Sequence, residues 1–127
     1  MAEIRTKGII NLPATGQLPG SEGKLVTLGA SGLTLVAAAN AVPFGVVLEP
    51  PAEGVERPAA DVAILGAFAG TVHFKAGTAI TRGARLMQRA DGTVGAAATG
   101  VCVGVAVEDA AVDELFEGAP LAPFTVS

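Results

Sequence analysis

The sequence predicts an all-β fold, namely a small β-barrel or β-clip-like domain of many short strands, with an extended N-terminal arm and at most one or two short helices. Three observations lead to this prediction. Apolar side chains alternate with a period of two, Gly-rich turns separate the alternating segments, and helical periodicity is scarce. A chain of 127 residues and 12.5 kDa has room for one such domain.

Segment 61–74 carries the clearest alternation, since its large apolar side chains stay in phase at the even positions. Within it, Gly66 and Gly70 predict bends or bulges of one curved strand. Segment 101–107 alternates branched and small side chains, which predicts a second strand. Further strands are expected at 24–28, 33–37, 44–48, 84–89 and 123–126.

Two turn signals join neighbouring strands. The tetrapeptide 29–32 (GASG) predicts a tight hairpin. Asp91-Gly92 predicts a type I′ hairpin between a strand at Leu86 and a short one at Thr93-Val94. Helix is expected at most as a single turn at 76–83 and a short segment at 110–116.

Residues 1–23 differ from the rest and are expected to form an extended N-terminal arm before a single β domain at 24–127. The segment 11–24 is rich in Gly, Pro, Ser and Thr and shows no alternation. A frayed terminus and an arm that lies on another subunit both fit this composition. The candidate partner-binding side chains are Ile4, Ile9, Ile10, Leu12 and Leu18.

Composition and charge exclude several classes of function. Eight Lys and Arg are scattered singly in a chain of net charge −4, so no nucleic-acid partner is expected. The longest uncharged stretch, 25–48, is interrupted by Gly, Asn and Pro, so no membrane span is expected. The chain contains 25 Ala and 15 Val but only five Phe, so its core is expected to be poor in large side chains, which favours additional burial between copies of the chain.

Residues that carry chemistry are few, so neither an enzyme nor a cofactor or metal site is expected. The one histidine, His73, has no orienting partner near it in sequence and is expected at the surface or an interface. The one cysteine, Cys102, lies between valines and is expected to be a small buried apolar group. The acidic residues at 108–117 lack the spacing of a calcium loop and are expected to be solvated.

A short internal echo links two parts of the chain. Segment 45–49 (GVVLE) recurs as 104–108 (GVAVE), and an Ala-containing acidic stretch follows each. Two like β units that form one barrel explain the echo, and so does chance in a composition as biased as this one.

The order of several motifs is familiar. They are FGVVL at 44–48, VAILGAFAGTVHF at 62–74, AGTAITRGARL at 76–86, DGTV at 91–94 and VGVAVE at 103–108. Over roughly residues 22–127 this order resembles the small capsid cement, or head decoration, proteins of tailed bacteriophages. Segment 113–119 (DELFEGA) departs from the pattern because it is longer and more acidic than the usual loop.

The resemblance implies a structural virion protein. It would be made in the cytoplasm of a bacterial host and would sit on the outer capsid surface. There it would act as a homotrimer that bridges neighbouring major capsid proteins, and residues 1–20 would be needed for binding to the capsid.

One alternative stays open, because AGTAITRGARL also looks like part of a β-clip module that binds sugar acids. Such a module would need a pocket with convergent polar groups, for which His73, Arg82, Arg85 and Arg89 are the candidates.

Overall fold

The computed structural model describes residues 3–4, 8–16, 18, 20–50, 58–68 and 70–127. This part of the chain contains eleven β-strands and no helix, which confirms the predicted all-β class. The strands are β1 (Glu3–Ile4), β2 (Ile9–Pro13), β3 (Leu25–Gly29), β4 (Gly32–Leu35), β5 (Gly45–Glu49), β6 (Ala59–Ile64), β7 (Val72–Lys75), β8 (Arg85–Gln88), β9 (Val94–Gly95), β10 (Gly100–Ala106) and β11 (Leu115–Val126).

The strands form two antiparallel sheets. The first sheet has the order β1-β2-β6-β5-β3-β4 and the second has the order β7-β11-β10-β8-β9. In each sheet an isolated parallel bridge links distant strands of the order, since Ala14 after β2 pairs with Leu33 on β4 and Ala76 after β7 pairs with Val94 on β9. Each sheet therefore curls until β2 meets β4, or β7 meets β9.

The two sheets are two copies of one five-strand unit. Unit 1 (β2–β6) and unit 2 (β7–β11) both order their strands as first, fifth, fourth, second and third. The echo GVVLE/GVAVE falls on β5 and β10, which are the fourth strand of each unit. In both units a turn glycine bonds this strand, since Gly23 N–H donates to Val47 O (2.9 Å) and Gly83 N–H donates to Ala106 O (2.8 Å). The echo is therefore structural, although each unit curls separately rather than sharing one barrel.

Two hydrophobic clusters follow from this arrangement. One fills the inside of unit 1, with Val26, Leu33 and Val47 among its buried members. The other fills the inside of unit 2 around Phe74 and Phe116, and it also takes in the outer face of unit 1. Unit 1 therefore buries both faces of its sheet, whereas unit 2 buries chiefly one.

The predicted single strand over 61–74 is wrong. β6 ends at Ile64 in the first sheet, and β7 begins at Val72 in the second. Gly66 (φ +87°) and Gly70 (φ +127°) adopt backbone conformations that L side chains rarely take. These glycines turn the chain from one unit into the next, so the alternation continues in phase across a break between sheets.

The predicted helix at 110–116 is also wrong, and so is the helical turn at 76–83. Ala110 forms a bridge with Ile80, and β11 begins at Leu115. Phe116 lies opposite Phe74 on β7, so core packing of the aromatic ring overrides the local helical pattern. The longer acidic segment 113–119 thus supplies a turn and the first residues of β11.

Both predicted hairpins are present. Ala30-Ser31 joins β3 to β4, since Gly29 pairs with Gly32. β8 and β9 pair across the segment 89–93, in which Gly92 N–H donates to Arg89 O (3.1 Å) and Gly92 has φ +85°. Asp91 has no positive φ, so the turn is a three-residue loop rather than the predicted type I′.

Candidate interaction surface

The candidate partner-binding residues of the N-terminal segment lie largely inside the fold. Ile10, Leu12 and Leu18 are buried in the cluster of unit 1, and Ile9 is half-buried on β2. The side chain of Ile4 lies outside the described part of the structure. Contact of the three buried side chains with a partner would require β2 to leave its sheet.

The described part of the expected arm is integrated into the β domain. β2 pairs with β6 over five registers, from Ile9 opposite Ala63 to Pro13 opposite Ala59. The alternation of Ile10, Leu12 and Ala14 is the sequence signal that identifies this strand. Removal of residues 1–20 would delete β2 and expose β6, so such a truncation cannot test capsid binding alone.

His73 and Cys102 take the positions predicted for them. His73 is exposed on β7 opposite Glu117, and its neighbour Thr71 donates a hydrogen bond to the Glu117 carboxylate (2.6 Å). Cys102 is a buried free thiol, and its Sγ lies 3.5 Å from the carbonyl of Gly104.

The acidic residues after β10 are exposed and hold backbone N–H groups. Arg82 N–H donates to Asp109 (2.7 Å), and Glu117 N–H donates to Glu108 (2.7 Å). Glu114 accepts from a backbone N–H three residues earlier (2.6 Å). These carboxylates therefore stabilise turns, and within the described ranges no group of three or more His, Cys, Asp or Glu is placed to hold a metal ion.

The arginines proposed for a sugar-acid site do not converge in the described hollows. The hollow that Arg89 lines has a volume of about 490 Å³ and also contains Gln88, Asp91 and Thr99. His73 lines a different hollow of about 250 Å³, together with Glu117. Arg82 and Arg85 line neither of these two hollows.

Gln88 connects the two units at the edge of the larger hollow. Its side-chain amide donates to carbonyls of the loop before β5, at 3.0 Å to Ala39 and 2.8 Å to Ala41. Its Oε1 atom is buried and has no hydrogen-bond partner in the described structure. This buried amide fixes the 38–41 loop of unit 1 on unit 2.

The outer face of unit 2 is the sheet face that points away from its own cluster. Residues directly opposite on paired strands share a face, so Arg85, Val105 and Ala119 form one row across it. The alternation of β11 adds Leu115, Glu117 and Leu121, and the register of β10 adds Phe124. Val107 follows β10 opposite Glu117, since its N–H donates to Glu117 O (3.2 Å). The exposed residues of β7, His73 among them, complete it.

Exposed large apolar side chains gather on this outer face. The described residues include seven such side chains, and Val107, Val112, Leu115, Leu121 and Phe124 all belong to unit 2. A sixth, Val42, lies beside Phe124 at a hollow of about 140 Å³ on the seam between the units. Contiguous exposed apolar surface of this kind marks interaction sites in soluble proteins.

The Asp91 carboxylate provides a prediction about pH at the β8–β9 hairpin. It accepts from the Thr93 hydroxyl and from Thr93 N–H (3.1 Å), and the hydroxyl is the main cause that holds its pKa below 3.8. Partial burial opposes this lowering, while the Thr93 N–H and the Arg89 charge add to it. A carboxyl whose pKa is lower in the folded state stabilises the fold above its unfolded pKa, and this contribution is lost as the pH falls through the folded pKa.

We therefore expect Asp91→Ala to lower the free energy of unfolding at neutral pH by about 0.5–1 kcal/mol, a value reduced for solvent screening at this exposed turn. The difference from the unchanged protein should shrink as the pH falls below 3.8. Urea unfolding followed by circular dichroism at several pH values measures both, with Glu22→Ala as the exposed control. A difference that stays constant down to pH 2 would contradict the assignment.

Within the described ranges the chain has no helix that is long and apolar enough to cross a membrane. Comparison with known proteins gave no match to any protein-family model, to any curated protein or to any solved structure.

Proposed function

We propose that this chain is a structural virion protein that decorates and stabilises the outer surface of a tailed-phage capsid, as a homotrimer that bridges neighbouring major capsid proteins. The observation that carries the proposal is the exposed apolar side chains gathered on the outer face of unit 2. The order of motifs shared with capsid cement proteins supports the same reading.

The physical basis of such a function is adhesion repeated over a closed shell. Exposed side chains such as Val107, Leu115 and Leu121 supply apolar surface for contacts with other subunits of the assembly, and each such contact can be weak. A trimer that engages several capsid subunits at once gains affinity through effective concentration, without a tight single contact. The strands of the described residues are paired within the two curled sheets. This pairing gives the rigid scaffold that such a contact needs.

Co-sedimentation tests the proposal directly. Purified protein is mixed with empty, expanded shells of the cognate major capsid protein, and the pelleted fraction is measured against protein concentration. We expect saturable binding at a fixed number of copies per shell, and a shell that resists heat or chaotrope better when it is decorated. Protein that stays in the supernatant at every concentration would overturn the proposal. A variant that lacks only residues 1–7 keeps β2 and measures the contribution of the terminal segment.

The sugar-acid alternative is tested on the same preparation. Glucuronate at millimolar concentration should leave the thermal midpoint unchanged if adhesion is the function. A dose-dependent rise in the midpoint that Arg89→Ala abolishes would instead assign a ligand site to the hollow beside Gln88.

A further inference from the structure

We infer that the outer face of unit 2 is the surface on which a second copy of this chain packs. The inference rests on the proposed function only for the number of copies in the oligomer. What it adds is the face through which these copies join. Its basis is the internal repeat, because the corresponding face of unit 1 is already covered by a unit of the same kind.

The correspondence can be followed residue by residue. In unit 1 the row Leu25, Val46, Ala63 crosses the sheet by direct pairing, and all three side chains are fully buried. In unit 2 the row Arg85, Val105, Ala119 crosses at the same registers, but Arg85 is exposed and the other two are half-buried. The same row of positions is therefore covered in unit 1 and at least partly exposed in unit 2.

The residue two positions after Ala63 in unit 1, and the one two positions after Ala119 in unit 2, show the same contrast. Leu65 follows the row in unit 1 and is 8% exposed within the second cluster. Leu121 is its counterpart in unit 2 and is 38% exposed. Leucine at both positions indicates that the two faces share a packing role, and that only unit 1 has its neighbour within the chain.

The composition of the outer face fits a second sheet rather than a small ligand. The small side chains of Val105 and Ala119 keep its centre flat, so another sheet can approach to about 10 Å. Both signs of charge surround that centre, with Arg85 and Lys75 against Glu117. A surface that carries apolar groups and both charges can be complementary to another part of an identical chain.

Addition of an edge strand from another protein fits less well. The second half of β11 pairs only with β10, but Pro120 and Pro123 interrupt its backbone donors. Prolines on an edge strand prevent continuous pairing with an incoming strand. The face of the sheet, rather than its edge, is therefore the surface available to a second copy.

A single tryptophan tests the inference, because the chain has no Trp and no Tyr. Phe124→Trp places the reporter on the outer face, and Leu28→Trp places it on the exposed hairpin of unit 1. We expect the Phe124→Trp emission to shift to the blue as the concentration rises, while the Leu28→Trp emission stays constant. Emission that is independent of concentration for both variants, in protein shown to be oligomeric, would overturn the inference.

Charge substitution gives a second, independent measurement. Leu121→Glu combined with Val107→Glu should raise the concentration at which the oligomer dissociates at least tenfold, as measured by sedimentation equilibrium. Leu28→Glu, which is similarly exposed and lies on the β3–β4 hairpin of unit 1, is the matched control and should leave the mass unchanged. Circular dichroism melts establish that each variant is folded.

The possible outcomes separate this inference from the proposed function. A 12.5 kDa monomer at every concentration, or a folded double variant that associates as strongly as the unchanged chain, would overturn the inference. A monomer would also contradict the homotrimer of the proposed function, whereas shell binding itself is measured separately by co-sedimentation. Conversely, a protein that self-associates through this face but fails to pellet with shells would refute the proposed function alone.

Discussion

Replacing Phe74 with alanine is expected to lower the free energy of unfolding by about 4 kcal/mol, the cost of truncating a large, fully buried aromatic side chain. Phe74 is fully buried, and its ring centroid lies 6.2 Å from that of Phe116 at an interplanar angle of 33°. The loss combines burial, the aromatic contact and the cavity that remains. Domains of this size have total stabilities of about 5–15 kcal/mol, so the variant should be close to unfolded at 37 °C.

The cavity is hard to refill because two neighbours of Phe74, Gly104 and Gly118, have no side chains that could move into it. A Cβ atom added at Gly118 would lie 2.8 Å from the ring, and one added at Gly104 would lie 3.3 Å from it. Chemical unfolding monitored by far-UV circular dichroism measures the loss, with Leu28→Ala as an exposed control expected to change stability by less than about 0.5 kcal/mol. A loss below 1 kcal/mol for Phe74→Ala would contradict the described core.

The same contacts explain why the repeat is hard to see in the sequence. Phe74 and Gly118 of unit 2 stand where unit 1 has Leu12 and Val62, since both pairs occupy the same registers of the first and fifth strands. The direct partners differ in size too, since Phe116 opposite Phe74 stands where Ala60 lies opposite Leu12, so the two cores keep the registers but not the residues. Only the segment GVVLE/GVAVE retained enough likeness to be noticed.

Alternation predicted most strands because successive residues of a strand point to opposite faces of its sheet, but it could not detect where the chain changes sheets. Val62, Val72 and Phe74 remain in phase although β6 and β7 belong to different sheets. Conversely, the Gly- and Pro-containing composition of residues 11–24 concealed β2, which buries only two large side chains, Ile10 and Leu12. Local sequence patterns therefore identified the strands better than they identified which strands lie next to one another in space.

The candidate surface was less accessible to sequence reasoning than the fold. Apolar residues of the N-terminal segment were expected to contact a partner, but pairing with β6 places Ile10 and Leu12 in the core of unit 1. Of the side chains that lie exposed, Phe124 falls in the predicted strand 123–126, whereas Leu121 falls in no predicted element. Only the register between β10 and β11 shows that they share an open face with Val105.

Substitution of Gly45 or Gly104 by alanine should cost about 3 kcal/mol at each position, as overpacking of a close backbone contact. The two glycines occupy the same register of β5 and β10. A Cβ atom at Gly45 would lie 2.5 Å from the carbonyl oxygen of Ala63 and would also clash with Val62, and one at Gly104 would lie 2.6 Å from the carbonyl oxygen of Ala119. Neither glycine has a positive φ, so the penalty is steric and not conformational.

These paired substitutions test the repeat itself. If the units are equivalent, Gly45→Ala and Gly104→Ala should give similar losses in chemical unfolding, although one strand lies between two clusters and the other is half-open. Gly16→Ala is the matched control, because a Cβ there meets nothing within 4 Å, and it should be neutral or stabilising by about 0.5 kcal/mol. Tolerance of alanine at one site and not at the other would show that the shared topology does not extend to the approach of the backbones. Equal losses would show that one steric requirement, the close contact between the fourth and fifth strands, was kept in both units while the surrounding side chains diverged.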